Sequence, residues 1–315
     1  MISIVMPVYN EGPHIEGSVA TVHALLLQHG LDAQFVLVDD GSRDDSWAAL
    51  TRLSQSLPGI KAIRLSRNFG KEAALCAGLE HADGQACLVM DSDLQHPPEL
   101  IPRMVALWRE GWDVVEGVKA HRGQEGGVYK LGARVFYRLF HKLSGFDLSG
   151  ASDFKLMDRK AVEAWRSMKE RDTFFRGMSA WVGFKRHRLP FVVASRVQGT
   201  TKWSPVKLGR LFISAISAFS SLPLQIVTVM GGLFFIGALG MAVQTLYTKL
   251  SGHADDGFTT VILLQLIIGS ALMFSLGIIG TYLARIYDEV KGRPRYLVSE
   301  TSVSPAVTPP ISTQE

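Results

Sequence analysis

Residues Leu211 to Thr248 contain no Asp, Glu, Lys, Arg or His, and neither do Gly257 to Ala284. Roughly 20 consecutive apolar residues span the hydrocarbon core of a bilayer, so each stretch is long enough to cross one. Spans are predicted at Leu224–Thr248 and Thr260–Ala284, and Gln225, Gln244 and Gln265 are tolerable near span ends or at helix contacts. Two core helices of a soluble domain fit less well, because such helices are shorter and keep a polar face. The first two thirds of the chain have an ordinary charge content. Over all 315 residues, however, the charged share falls to 20%, below the roughly 25% of a soluble protein. With 47% apolar residues, the chain is neither disordered nor collagenous.

The cations give the expected orientation. Lys202, Lys207 and Arg210 precede the first span, and Arg285, Lys291, Arg293 and Arg295 follow the second. The short connection from Lys249 to Asp256 carries one Lys and two Asp. The positive-inside rule then predicts both ends in the cytoplasm. The N-terminus, Met1 to Pro7, has no basic n-region and no small-residue cleavage site, so it does not read as a signal peptide. Cys76 and Cys87 are too few for a disulfide framework and lie in apolar runs, which reads as buried thiols. A net charge of +4 suits a membrane surface or a nucleic acid.

From Ile2 to Val118 short apolar runs alternate with helical patterns. The runs are Ile2–Met6, Phe35–Val38, Ile60–Leu65, Ala86–Met90 and Val114–Val118; helices are predicted at Ile15–Gln28, Asp45–Ser54, Lys71–His81 and Glu99–Arg109. Near-continuous β-rich runs between helices predict an α/β domain with a mainly parallel sheet covered on both faces. Such sheets bind ligands at the carboxyl ends of their strands. There the sequence reads Pro7-Val8-Tyr9-Asn10-Glu11, Asp39-Asp40-Gly41-Ser42, Ser66-Arg67-Asn68-Phe69-Gly70-Lys71-Glu72 and Asp91-Ser92-Asp93-Leu94-Gln95-His96-Pro97. No Gly-x-Gly-x-x-Gly follows the first run and no Gly-Lys-Ser/Thr follows any, which disfavours a dinucleotide fold and a P-loop. Asp91 and Asp93 offer hard oxygen ligands for Mg²⁺ or Mn²⁺, which typically take one or two carboxylates plus substrate phosphates. Alone, the pair would suit a helix N-cap before Pro97-Pro98-Glu99. With Asp39-Asp40 after another strand of the same sheet, a ligand site is the better reading.

These four segments, in this order and spacing, resemble the successive motifs of family 2 glycosyltransferases with the GT-A (Rossmann-like) fold. The resemblance continues through Gly150-Ala151-Ser152-Asp153-Phe154-Lys155-Leu156-Met157-Asp158-Arg159 and Trp181-Val182-Gly183-Phe184. Within the family the chain is similar to polyprenyl-phosphate glycosyltransferases: dolichol-phosphate mannose synthases and, more closely, bactoprenol glucosyltransferases. The resemblance implies inverting transfer of a hexose from a nucleotide sugar to a polyprenyl phosphate, undecaprenyl phosphate in a bacterial plasma membrane. Overall similarity points to UDP-glucose, with GDP-mannose or another donor as the alternative. A processive polysaccharide synthase is disfavoured, since the chain has no Arg-Trp pair and only two spans. A catalytically degenerate membrane scaffold is the rival of another class.

The resemblance also implies roles. Asp93, with Asp91 and Gln95, would hold the metal. Asp40 would read the base or ribose, while Pro7, Tyr9 and Glu11 would line the nucleotide pocket. Lys71 would meet a phosphate or stand solvated at a helix start. Arg196 and Lys202 match positions near the diphosphate, although Thr200-Thr201-Lys202 stands where Ser-Lys is commoner. Asp153 matches the family's catalytic base. Because a phosphate monoester has a second pKa near 6, the acceptor arrives largely deprotonated, and Asp153 is read as orienting it or stabilising positive charge at the anomeric carbon rather than taking a proton.

Lys130, Arg134, Arg138 and Lys142 recur every four residues beside an apolar stripe of Leu131, Val135, Phe136, Leu139, Phe140 and Leu143. A basic amphipathic helix, about 126–144, reads as membrane-surface binding. Arg134 and Arg138 on this helix, with Arg122 before it, are candidates to seat the lipid phosphate. No zinc-finger spacing or aromatic-interleaved basic patch argues for nucleic acid. The predicted organisation is therefore a catalytic domain at 1–204, an interfacial helix at 205–222 and a two-span hairpin at 223–284. A cytoplasmic tail at 285–315 is expected to be disordered at its end. A homo-oligomer and a downstream flippase are compatible with it.

Overall fold

The computed structural model describes residues 1–121, 151–168, 170–171, 173–192, 222–251 and 257–304. The chain divides into two compact units. The first comprises Met1–His141, Phe146–Lys202 and Pro294–Glu315, and the second comprises Lys142–Gly145 and Trp203–Arg293.

The first unit is built on β1 (Ile2–Val8), α1 (Gly12–Gln28), β2 (Ala33–Asp39), α2 (Ser46–Ser56), β3 (Ile60–Leu65), α3 (Lys71–Glu80) and β4 (Ala86–Val89). A 3₁₀ turn (Pro98–Leu100) leads into α4 (Ile101–Arg109), then β5 (Val114–His121), β6 (Ala151–Asp158), α5 (Arg159–Ser167), α6 (Phe175–Trp181) and β7 (Arg186–Val192). The predicted runs and helices of the first 118 residues all appear, displaced at their ends by a few residues. Burial explains the pattern: β1 and β2 are covered on both faces, so Ile4, Val5, Met6, Phe35, Val36, Leu37 and Val38 are all fully buried. Gly78 lets α3 lie directly on β1, since a Cβ there would come within 2.3 Å of Val5 Cγ1.

The sheet has the order β7-β5-β6-β4-β1-β2-β3-β8. Strand β1 pairs in parallel with β2 and β4, β2 with β3, and β5 with β7. Strand β6 runs antiparallel between β4 and β5. Its register sets Val89 opposite Lys155. Carried two residues further, this register sets Asp91 opposite Asp153, and so brings a late strand's carboxylate to the carboxyl edge of the early ones.

The eighth strand, β8 (Val298–Val303), lies within the predicted tail, whose last residues, 305–315, are outside the described ones. It pairs antiparallel with the outer edge of β3, with Glu300 opposite Arg64. Arg64 donates to Glu300 at 2.9 Å, and Trp47 Nε1 donates to the same carboxylate at 3.0 Å. The catalytic domain therefore takes up the segment after the second apolar stretch, because β3 would otherwise present an unpaired edge. Both cysteines are buried, which pushes the thiols up to about 11 for Cys76 and about 12 for Cys87, and such thiols are inert.

In the second unit the described residues form two helices, α7 (Leu222–Leu250) and α8 (Phe258–Val290). Their 29 and 33 residues correspond to about 44 and 50 Å at 1.5 Å per residue, against a hydrocarbon core of about 30 Å. Both are long and apolar enough to cross a membrane, and their large apolar side chains, such as Phe235, Ile236 and Met273, are exposed. Helix α8 continues past the predicted end at Ala284 to Val290. The predicted basic helix at 126–144 and, except for Leu222, the interfacial helix at 205–222 lie outside the described residues.

Candidate active site

Four strand-end segments converge because β4, β1, β2 and β3 are adjacent and parallel. Backbone N–H groups of the β1 loop bind side chains of the β2 loop: Asn10 donates to Ser42 Oγ at 2.9 Å, Glu11 to Ser46 Oγ at 2.8 Å and Gly12 to Asp44 Oδ2 at 3.1 Å. In return Asn10 Oδ1 accepts from the Arg43 N–H at 2.9 Å. Asn10 and Leu94 both take positive φ, at 55° and 53°. Asn tolerates that region, whereas Leu94 holds about 1 kcal/mol or more of strain.

The result is a cleft of about 320 Å³ lined by Pro7, Val8, Tyr9, Glu11, Asp40, Asn68, Gly70, Lys71, Asp91, Ser92 and Asp93. Seven of the residues singled out from sequence lie on it. The Asp39-Asp40 pair divides its work. Asp39 is fully buried, accepts from the Ser42 N–H at 3.0 Å and lies 3.4 Å from Arg64, so its role is structural. Asp40 faces the cleft, and its two oxygens accept from the N–H groups of Phe69 and Gly70 at 2.7 and 2.9 Å. Burial raises Asp40 above the usual carboxylate value against those two bonds. Asp40 therefore shapes the Asn68–Gly70 wall of the pocket, beyond the base-reading role the sequence suggested.

Asp91 and Asp93 do not cap the following helix: no side chain caps the Pro98–Leu100 turn, and Asp93 Oδ1 accepts from the Gln95 N–H at 3.1 Å. Gln95 contributes this backbone contact to Asp93 at the edge of the cleft. His96 braces the turn, since its Nδ1 accepts from the Asp91 N–H at 3.3 Å while its ring stacks on Phe154 at 5.1 Å. Among the described residues no three His, Cys, Asp or Glu side chains form a ready metal cluster. Two carboxylates still match a cation that completes its shell with substrate phosphates. One observation supports the fit: burial raises Glu11, and the negative charge of Asp93 raises it further.

Asp153 sits on β6 beside this cleft. Lys71 Nζ bridges the two facing carboxylates, 2.5 Å from Asp91 Oδ1 and 2.7 Å from Asp153 Oδ2. Burial alone would lower Lys71, but Asp91 and then Asp153 outweigh it and raise the ammonium above its ordinary value. Lys71 stands at the start of α3, part exposed on the cleft, with both carboxylates as its partners. Arg176, absent from the residues singled out from sequence, donates to both Asp153 oxygens. Burial would push Asp153 up, yet Arg176 and then Lys71 hold it well below the usual carboxylate range. A lone cation in the apolar run Phe174-Phe175-Arg176-Gly177-Met178 was the available signal. Arg122, Arg134, Arg138, Arg196 and Lys202 lie outside the described residues.

An α/β sheet with an acidic cleft at the carboxyl ends of its parallel strands has the usual place of a ligand site in such folds. The chain belongs to glycosyl transferase family 2: the family model matches residues 3–166. An uncharacterised glycosyltransferase of Synechocystis is 38% identical over 301 residues, covering 95% of each chain. The bactoprenol glucosyl transferase of Shigella phage SfII is 34% identical, over 95% of this chain and 98% of its own. An Escherichia coli prophage bactoprenol glucosyl transferase homologue is 35% identical, over 94% of this chain and 98% of its own. Among solved structures, mannosyl-3-phosphoglycerate synthase from Rubrobacter xylanophilus is similar over 69% of this chain and 72% of its own, at 21% identity and a TM-score of 0.47. The protein is a glycosyltransferase.

Proposed function

We propose that this enzyme transfers a hexose, glucose from UDP-glucose, to a polyprenyl phosphate at the cytoplasmic membrane face, with inversion at the anomeric carbon. The observation that carries the reading is the Asp91–Lys71–Asp153 bridge beside the cleft in a chain that also has two helices long enough for a bilayer. The relatives named bactoprenol glucosyl transferases, matched over nearly their whole length, support the acceptor class.

In this reading the nucleotide lies along Pro7, Tyr9, Glu11 and Asp40. Asp91 and Asp93 would hold Mg²⁺ or Mn²⁺, which when bound supplies charge neutralisation to the departing diphosphate. Lys71 is free to turn from the carboxylates to a phosphate oxygen. The acceptor phosphate oxygen forms the new bond to the anomeric carbon as the bond to the nucleoside diphosphate breaks, and the diphosphate leaves with that electron pair. The dianionic acceptor needs no base. Asp153, held well below the usual carboxylate range by Arg176 and Lys71 against its burial, is a poor proton acceptor; it orients Lys71 and the approaching phosphate. Arg122, Arg134 and Arg138 seat that phosphate, and Arg196 and Lys202 approach the diphosphate. The apolar helices α7 and α8 span the bilayer, with both termini cytoplasmic.

The test is to offer radiolabelled UDP-glucose, GDP-mannose and other nucleotide sugars to the full chain in membranes supplied with undecaprenyl phosphate. Lipid-linked label from UDP-glucose is expected. Label from GDP-mannose alone reassigns the donor, and no lipid label from any donor revives the scaffold reading.

A further inference from the structure

Helix α6 is registered on β6 by two polar rungs. Asp153 and Lys155 are two apart on β6 and share a face of the sheet. Arg176 and Ser179 are three apart on α6 and share a face of the helix. The rungs join them in order: Arg176 Nε and Nη2 donate to Asp153 Oδ1 and Oδ2 at 2.7 and 3.0 Å, and Lys155 Nζ donates to Ser179 Oγ at 2.7 Å. Lys155 is itself anchored by Glu116 at 3.0 Å, and both are buried. The N-terminus of α6 is fixed as well, because Glu72 Oε2 accepts from the Phe175 N–H at 2.7 Å. Glu72 follows Lys71 directly. The first turn of α3 therefore holds Asp153 by two routes, through Lys71 itself and through the helix that carries Arg176.

The two cations on Asp153 differ in kind. Arg176 grips both oxygens through a planar fork. Lys71 makes a single contact, shares its charge with Asp91 and remains 41% exposed on the cleft. A diphosphate entering the cleft competes with the carboxylates for Lys71 but has no comparable claim on the two-point Arg176 contact. We propose that Arg176 is a positioning residue for the transfer reaction, keeping the Asp153 carboxylate fixed when Lys71 turns to the donor diphosphate. The proposal rests on the reading of this cleft as a nucleotide-sugar site. It assigns Arg176 no contact with donor or acceptor.

The test uses the full chain in detergent with undecaprenyl phosphate and nucleotide sugar, comparing Arg176→Lys and Arg176→Ala with the unsubstituted enzyme. Misplacement of a reacting group by about 1 Å costs on the order of a hundredfold, so kcat should fall by about that factor in Arg176→Ala while the donor KM holds. Arg176→Lys should fall between the two. Added guanidinium should restore part of the Arg176→Ala rate. In parallel, the Asp153 carboxyl carbon, assigned in ¹³C-aspartate-labelled protein by its loss in Asp153→Asn, should not titrate between pH 4 and 8 in the unsubstituted protein and should titrate there in Arg176→Ala. Unchanged kcat with an unmoved Asp153 signal overturns the proposal. So does a rate loss that tracks thermal unfolding and resists guanidinium, which marks Arg176 as structural only. If the unsubstituted enzyme transfers to no polyprenyl phosphate, the functional reading fails by itself, and the carboxyl titration still decides whether Arg176 controls Asp153.

Discussion

The Lys71 ammonium lies 2.5 Å from Asp91 Oδ1, so the first carboxylate of the Asp91-x-Asp93 pair is already engaged by a cation of the protein. Asp93 is exposed on the cleft, and its carboxylate accepts from the Gln95 N–H. Asp93→Asn keeps that acceptor and removes the charge. Transfer should be abolished at saturating Mg²⁺ or Mn²⁺, while the thermal midpoint stays within a few degrees, since a surface substitution usually changes stability by about 0.5 kcal/mol or less. Near-normal turnover in excess metal would sink the metal role.

Glu72 gives the catalytic domain a pH-dependent stability. Burial pushes its carboxyl from 4.5 up to about 7, against the hydrogen bond from Phe175. The folded state thus keeps this proton where the unfolded chain has lost it. The contribution is full below about pH 4.5 and is lost as the pH rises through about 7. It amounts to about 3 kcal/mol at most. Glu72→Gln retains an acceptor for the Phe175 N–H and cannot titrate. Thermal melts from pH 4.5 to 8 should show the unsubstituted protein losing stability relative to the variant as pH rises. Parallel curves would remove Glu72 from the titration.

Gly41 couples the cleft wall to the backbone. Its φ is +66°, and a Cβ there would lie 2.5 Å from the Arg67 carbonyl carbon and 2.7 Å from the Asn68 nitrogen. No rotamer relieves a clash made by backbone atoms. Gly41→Ala should cost about 1 kcal/mol from φ alone and push away the Asn68–Gly70 wall that Asp40 holds. Nucleotide-sugar affinity, read by titration calorimetry, should fall tenfold or more. Unaltered affinity would show that this wall does not touch the donor.

The proposed topology predicts that Ala254→Cys, in the connection between the two apolar helices, is labelled by an impermeant maleimide from outside intact cells. A cysteine placed at Ser304, after β8, should be labelled only when the membrane is opened. Labelling of Ala254→Cys from the cytoplasmic side would overturn the two-span arrangement.

Local pattern alone determined much of this protein. The five apolar runs of the first 118 residues are strands because each must be buried on both faces, and the polar segments after them share an edge because parallel strands all end on the same side. Tyr9, Glu11, Asp40, Lys71, Asp91 and Asp93 were legible for that reason, as were the two apolar helices, whose signal is carried by length and the absence of charge. Tertiary structure decided what depends on pairing between distant segments. Nothing local to Asp153 says that β6 runs antiparallel between β4 and β5, yet that register alone brings its carboxylate opposite Asp91 and under Lys71. Val298–Val303 is an exposed, polar strand that only the open edge of β3 makes a strand at all. Arg176 is the plainest case: its residue type and place in a short helix are ordinary, and its role exists because α6 folds back across β6 and aims the guanidinium at Asp153.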